Sequence, residues 1–354
     1  MKVLINVPDL KRRGGVAGLY NTLKIQDKYD FVDLFNIHND GNRFIGLLAK
    51  YIAFFFKSRK YSVVHINPSL GYKSFLRDAL FMLIARINGC KTLVHWHGWE
   101  EPFEERIKDS FILLKLMKIT FLRADGVVVL GTVFKNKIQA LGYKGRIWIE
   151  TNAVDDSYLK DEALHKYPPG DDQNILFLSR IETEKGIYIA LDAIKILQSR
   201  LSKAVRFIIA GDGSQLENVK DYIERHDIKN AIVYGHVEGV LKHKVLVDSS
   251  IYLFPTYSEG LPITILEAML YGLVIITRPV GGIPDVVADG ANGILIDSRN
   301  PQDFADAIER LLADKEKMLQ VAETNRQKAC ACFVSDKVNE RLVGMYRAIN
   351  QEKH

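Results

Sequence analysis

Short apolar runs rich in branched residues recur along this chain, and longer amphipathic or polar stretches separate them. In the first 150 residues the runs are Lys2–Val7, Phe31–Ile37, Ser62–Asn67, Lys91–Trp96, Gly126–Leu130 and Arg146–Glu150. A second set follows at Asn174–Leu178, Val205–Ala210, Ala231–Tyr234, Ile251–Phe254, Val274–Thr277 and Gly293–Ile296. Each has the length and composition of a strand buried on both faces. Helix-like segments lie between them, among them Gly186–Ser199 and Gly213–His226. Strands alternating with helices predict parallel sheets covered on both sides, so the fold class is α/β. The polar stretch Lys166–Asp172, which contains Pro168-Pro169-Gly170, predicts a connection between two domains.

In such sheets ligands sit beyond the carboxyl ends of the strands, which directs attention to the loops there. After the first run comes Gly14-Gly15-Val16, then a helix-like segment. Strand, glycine loop and helix bring backbone N–H groups close to a phosphate, although a plain tight turn has the same appearance. It is not the spacing G-x-G-x-x-G of a dinucleotide site. The fourth run ends in His95-Trp96-His97. The two histidines are expected on opposite faces, so that one at most enters a site. His97, nearest the strand end, is the candidate to bond a ligand hydroxyl or move a proton, with His95 packed in the interior.

The second half offers more. Arg180 and Lys185 stand five apart in a strand–helix loop, where Arg can grip a pyrophosphate through paired N–H bonds and Lys as a point charge. Gly211 and Gly213 form a tight turn after the next strand, and Gly281-Gly282-Ile283-Pro284-Asp285 repeats the theme. In Ser258-Glu259-Gly260-Leu261-Pro262-Ile263-Thr264-Ile265-Leu266-Glu267, two carboxylates flank a helix start. Pro262 suits the first turn, where its missing N–H is not needed. Glu259 then precedes the helix, Glu267 lies about one and a half turns inside it, and the free N–H groups of Leu261–Thr264 attract an anion. Taken alone, the pair reads as a solvated acid before the helix and a second on its surface.

Composition narrows the class. The chain has 354 residues, of which 47% are hydrophobic and 26% charged, enough for two soluble domains. No apolar stretch reaches the ~18 residues of a membrane span, and the N-terminal run is too short for a signal peptide. Cys90, Cys330 and Cys332 fit reduced thiols in a cytoplasmic protein and make a poor zinc pattern. The net charge of +5 is uneven. Residues 1–150 hold 24 Lys and Arg against 13 Asp and Glu, a net of +11, while the remainder holds 24 against 30, a net of −6. A basic first half favours an anionic partner or is an ordinary solvated surface. Within it, Phe44–Lys60 and Ser110–Arg123 are both apolar and basic. They fit helices lying on an anionic membrane surface, or core helices fringed by lysines. No nucleic-acid-binding module is present in the sequence.

Taken together, Gly14-Gly15-Val16, Asn152-Ala153-Val154-Asp155, Ser179-Arg180 through Lys185-Gly186, Ala210-Gly211-Asp212-Gly213, Glu259-Gly260 through Glu267-Ala268-Met269 and Gly281–Asp285 resemble retaining glycosyltransferases of family 4. The resemblance spans nearly the whole chain. It implies the GT-B fold, two Rossmann-like parallel-sheet domains facing a central cleft. The acceptor-side domain would be 1–157 plus a C-terminal helix at 334–354, and the nucleotide-sugar domain 158–333. It further implies that Arg180 and Lys185 bind the donor pyrophosphate, that Glu267 bonds the ribose and that Glu259 bonds the donor sugar. Gly15 is implied near the phosphate, with His97 near the sugar and its departing phosphate. The chain departs from the pattern at Asp285, where Glu is usual, at Ala153, where Gly is common, and at Gly131-Thr132, where Ser is common.

These features lead to the expectation of a hexosyltransferase using a nucleotide-sugar, UDP-linked in preference to GDP-mannose. The acceptor is expected to be a glycan or a lipid-pyrophosphate-linked saccharide of a surface polysaccharide. No Asp-x-Asp stands in a suitable loop, so neither a metal nor another cofactor is expected. The competing readings are a nucleotide-sugar epimerase or phosphorylase on the same fold, and a non-catalytic partner subunit.

Overall fold

The structure, a computed structural model, describes residues 1–12, 14–38, 43–157, 174–201 and 205–351. The expected connection at Lys166–Asp172 lies outside the described residues, as does residue 158, where the second domain was placed. The chain divides into two compact units, Met1–Ala153 with Ser335–His354, and Val154–Val334.

The first unit carries β1 (Val3–Val7), β2 (Val32–Asn36), β3 (Val63–Ile66), β4 (Ser69–Leu70), β5 (Lys91–His95), β6 (Gly98–Trp99), β7 (Gly126–Val129) and β8 (Arg146–Ile149). Its helices are α1 (Gly15–Leu23), α2 (Ile25–Lys28), α3 (Arg43–Ser58), α4 (Tyr72–Ile87), α5 (Glu101–Asp109), α6 (Phe111–Ile119) and α7 (Thr132–Ala140). Six strands form one parallel sheet in the order β2-β1-β3-β5-β7-β8, and β4 pairs with β6. From β1 to β2 the chain steps one way across the sheet, and from β2 to β3, β3 to β5 and β5 to β7 it steps the other. With right-handed crossovers, α1 covers one face and α3, α4 and α6 cover the opposite one.

The second unit contains β9 (Asn174–Leu178), β10 (Arg206–Ala210), β11 (Ala231–Gly235), β12 (Ile251–Phe254), β13 (Val274–Thr277) and β14 (Gly293–Leu295). These pair in parallel in the order β11-β10-β9-β12-β13-β14. Around them lie α8 (Ile187–Arg200), α9 (Leu216–Arg225), α10 (Gly239–Val247), α11 (Ile263–Leu270), α12 (Ile283–Val286), α13 (Pro301–Ala313) and α14 (Lys315–Cys332). The order reverses between β9 and β12, the switch point at which open α/β sheets take their ligands. β9, β12 and β13 are buried throughout, which is why each reads as an uninterrupted apolar run.

A last helix, α15 (Ser335–Gln351), belongs to the first unit. Val338, Leu342, Val343, Tyr346 and Ile349 pack with Leu19, Tyr20 and Leu23 of α1 over β1 and β5. Arg341 binds the buried Glu150 carboxylate through Nε at 2.8 Å and Nη2 at 2.7 Å, and Asn339 donates to the Leu23 carbonyl. Both sheets are therefore Rossmann-like, the arrangement of the GT-B fold.

Candidate functional site

The second unit gathers its polar groups at the switch point. Lys185 ends the loop after β9 and is almost fully buried, with its Nζ 2.5 Å from Glu259 Oε1. Glu259 ends the loop after β12, where Thr256 Oγ1 donates to the same oxygen at 3.1 Å. The two loops are bound to each other, because Tyr257 N donates to the Glu184 carbonyl at 2.8 Å. A charge-assisted bond this short, shielded from water, fixes the position of both side chains. Arg180 stands exposed at the end of β9. Its neighbour Glu182 accepts from the amide and hydroxyl of Ser214, bonds that hold its carboxyl below the usual range and tie the β9 loop to the β10 loop.

Glycines let these loops touch. Gly211 has φ +145°, and a Cβ there would stand 1.7 Å from the Ser179 carbonyl oxygen. Gly281 has φ +60°, and its Cβ would stand 2.1 Å from the Glu259 carbonyl oxygen. At Gly213 the added atom would meet the Ile181 carbonyl at 2.4 Å. At each of these turns backbone packs against backbone.

Helix α11 begins at Ile263, one residue later than Pro262, which caps it in an extended conformation. Its first amides have no carbonyl a turn earlier to bond. The Thr264 hydroxyl shares a 2.8 Å hydrogen bond with Tyr252, whose hydroxyl also meets the Leu178 carbonyl, so the helix start is fixed to β9 and β12. Glu267 lies further along the same helix. Its Oε1 takes Lys242 Nζ of α10 at 2.5 Å, while Oε2 is buried without a partner. Burial raises the Glu267 pKa, and the Lys242 ammonium opposes that shift. Lys242, which sequence reasoning missed, is the partner of this candidate residue.

The first unit gathers neutral rings instead. Asn67, just beyond β3, donates from Nδ2 to the Asn6 carbonyl at 2.8 Å, which turns its Oδ1 toward Tyr20 and His97. His97 Nε2 lies 2.8 Å from that oxygen and must carry the proton, which leaves Nδ1 as the acceptor. Burial pushes the His97 pKa down to about 3, so the ring is neutral at pH 7. His65 is likewise lowered to about 3, and its Nδ1 lies 2.7 Å from the Tyr346 hydroxyl of α15. His95 is buried between them, its centroid 3.9 Å from that of His97 and 5.7 Å from that of His65. The expected separation of His95 from His97 fails. Side chains two positions apart in extended chain return to the same side, so the two rings lie against each other. Gly15 opens α1, where a Cβ on Gly14 or Gly15 would meet nothing within 4 Å.

The structure thus brings Lys185, Glu259 and Thr256 together in one unit and His97, Asn67 and Tyr20 together in the other. Among the described residues, no three His, Cys, Asp or Glu side chains gather to hold a metal ion.

Residues 160–328 match the family described as glycosyl transferases, group 1. The chain is 27% identical over 200 residues to alpha-D-kanosaminyltransferase of Streptomyces kanamyceticus, covering 55% of this chain and 51% of that one. It is 24% identical over 257 residues to the capsular polysaccharide biosynthesis glycosyltransferase CapM of Staphylococcus aureus, covering 68% and 66%. It therefore spans about half to two thirds of the length of these relatives. The Anabaena protein HepE, solved in complex with UDP and glucose, superposes with a TM-score of 0.73 at 17% identity, over 98% of this chain and 100% of that one. That likeness establishes the fold. The fold is that of the GT-B glycosyltransferase superfamily, and the second unit carries the group 1 pattern.

Proposed function

We propose that this chain is a retaining glycosyltransferase of family 4. It would move a hexosyl group from a nucleotide-sugar, UDP-linked in preference to GDP-mannose, onto a glycan or lipid-pyrophosphate-linked saccharide. The observation that carries this reading is the Lys185–Glu259–Thr256 cluster at the switch point, with Glu267 on the helix that starts beside it. The group 1 match over the same residues supports it, as do the relatives whose names are those of sugar transferases. The relative named for capsular polysaccharide biosynthesis supports a surface glycan as the product. Transfer would take place in the cytoplasm, at the inner membrane face.

Breaking the bond from sugar to nucleotide diphosphate builds positive charge on the sugar and negative charge on the departing phosphate. Arg180, Lys185 and the first amides of α11 would stabilise that phosphate, work that a metal ion performs in other sites. Glu267 would accept hydrogen bonds from the ribose through its free oxygen. Glu259 would hold the sugar hydroxyls so that the acceptor attacks the face the phosphate leaves. His97, neutral and with Nδ1 as acceptor, would bond a sugar hydroxyl, and the α1 amides at Gly15 would meet phosphate. The first unit is then the acceptor side and the second the donor side.

Thermal shift across UDP-, GDP- and ADP-sugars, followed by transfer assays with and without EDTA, tests the reading. Donor-dependent stabilisation and EDTA-resistant transfer are expected; conversion of the donor without an acceptor would establish an epimerase instead. Loss of transfer in EDTA with recovery in Mn²⁺ would overturn metal independence.

A further inference from the structure

One face of the first unit is apolar where solvent should be. On α3, Ile45 is 66% exposed, Leu48 54%, Ile52 53% and Phe56 61%, and Ala49 and Ala53 are exposed between them. At 3.6 residues per turn these positions form a single stripe along the helix. The opposite side of the same helix is the ordinary inward one, where Phe54 is buried against Phe35 and Phe81. The stripe is therefore surplus to the core.

It continues onto the neighbouring helices. On α4, Leu76 and Leu80 are exposed, and Ile87 is 75% so. On α6, Phe111 and Ile112 are both more than three quarters exposed. The sheet order places α3, α4 and α6 on the same side, and the contacts join them. Arg59 Nε reaches Asn88 Oδ1 at the end of α4, and Arg86 donates to the Ile119 carbonyl at the end of α6. Monomeric surfaces seldom carry contiguous apolar patches of this extent without a partner.

Charge identifies the partner. The three helices contain one acid among them, Asp78, and it is buried against Arg77. Lys73, Lys115 and Lys118 are exposed, while Lys50 and Lys57 lie half-buried with their ammonium groups 5.9 and 5.8 Å from the centre of the Phe35 ring. By contrast α5, between α4 and α6 in the chain, carries four acids. An apolar face whose own exposed charges are all cationic repels a second copy of itself, because an isologous pairing would set like charge against like. It attracts a surface with apolar depth and an anionic rim.

We propose that the outer face of α3, α4 and α6 docks on an anionic lipid bilayer, with its apolar stripe at the acyl boundary and its lysines among the headgroups. No described helix is long and apolar enough to cross a membrane, so the face lies on the bilayer. The sequence pointed to α3 and α6 as separate segments; the fold joins them through α4. The inference stands on this face alone and is independent of the transfer activity.

The test is flotation of the whole protein with vesicles of phosphatidylcholine alone and of phosphatidylcholine with phosphatidylglycerol, at low and high salt. Flotation with the anionic vesicles is expected, weakened but not abolished by salt, because the apolar part is not screened. Ile52→Glu combined with Phe56→Glu should reduce it at least about tenfold. A Phe56→Trp variant gives a second reading that leaves the face intact. Its emission, less that of the native protein, should shift to the blue on adding anionic vesicles. The proposal fails if the native protein floats with neither vesicle or equally with both, or if the charged variant folds and floats as well as the native chain. It also fails if the emission of the Phe56→Trp variant does not move, or if the protein is a dimer that the charged variant converts to a monomer.

Discussion

The two units carry glycines after their strands and use them in opposite ways. In the second unit Gly211, Gly213 and Gly281 stand where a single added carbon would strike backbone, so the loops around Lys185 and Glu259 are already closed on one another. In the first, Gly14, Gly15 and Gly18 face open space. The polar groups divide in the same way. The second unit stores paired charges, Lys185 with Glu259 and Lys242 with Glu267, whereas the first stores neutral histidines held by Asn67 and Tyr346. One side is built around charge that a ligand must displace, and the other around uncharged acceptors that a ligand can join. On the proposed reading, phosphate binding at Lys185 releases a Glu259 oxygen for sugar, so the two events are coupled on the second unit alone.

The largest test of this contrast is acid. His65 and His97 stay neutral in the fold down to about pH 3 but take up a proton near pH 6.5 once unfolded. Their folded pKa values are lowered, so stability is full above about pH 6.5 and is lost as pH falls. At pH 5 the loss should be about 2 kcal/mol for each histidine, read from urea unfolding, and smaller in His65→Gln. A flat stability curve would mean these rings are not neutral and buried.

Next in size, Glu259→Ala should lower kcat by about 10²–10³ with the fold intact, as for the loss of one transition-state contact. An unchanged kcat removes Glu259 from the site. Gly281→Ala should destabilise by about 2 kcal/mol or more through clash and strain. Gly18→Ala, in open space within α1, should instead stabilise by about 0.5–1 kcal/mol. Equal effects at the two positions would erase the distinction between crowded and open glycines.

The smallest effect concerns Lys242. Burial raises the Glu267 pKa and Lys242 lowers it, so Lys242→Met should raise it further. If the ionised form binds ribose, the donor KM should climb as pH falls, and the climb should begin at a higher pH in the variant than in the native protein. Glu267→Gln in the same background should remove that dependence. A pH-independent KM in Lys242→Met would leave Lys242 a packing residue only.

The sheets were legible because parallel strands buried on both faces leave unbroken apolar runs, and Asn174–Leu178, Ile251–Phe254 and Val274–Thr277 match the observed strands end to end. Glu259 and Glu267 stood out because they flank one helix start and so lie close together in the sequence. Lys242 did not, because it reaches Glu267 from another helix, where Lys242-His243-Lys244 reads as solvated surface. Nor did Asn67, which is an ordinary strand-end residue until Asn6 and Tyr20 fix its amide. The placement of His95 and His97 on opposite faces failed because the side-chain period of extended chain is two, which brings both rings to one side. The exposed side of α4 was hidden for another reason. Its buried and exposed apolar residues look alike in sequence, and only the packing of Phe75 and Phe81 tells them apart.

The return of α15 to the first unit bears on how the protein is made. Tyr346 supplies a partner to His65, and Asn339 and Arg341 supply partners to Leu23 and Glu150. During synthesis the strands that emerge first must therefore wait for the segment at Ser335–Gln351, while Val154–Val334 is contiguous and can close as soon as it leaves the ribosome. The unit that is begun first is finished last, and a released chain truncated before residue 335 would hold a folded second unit behind an unfinished first.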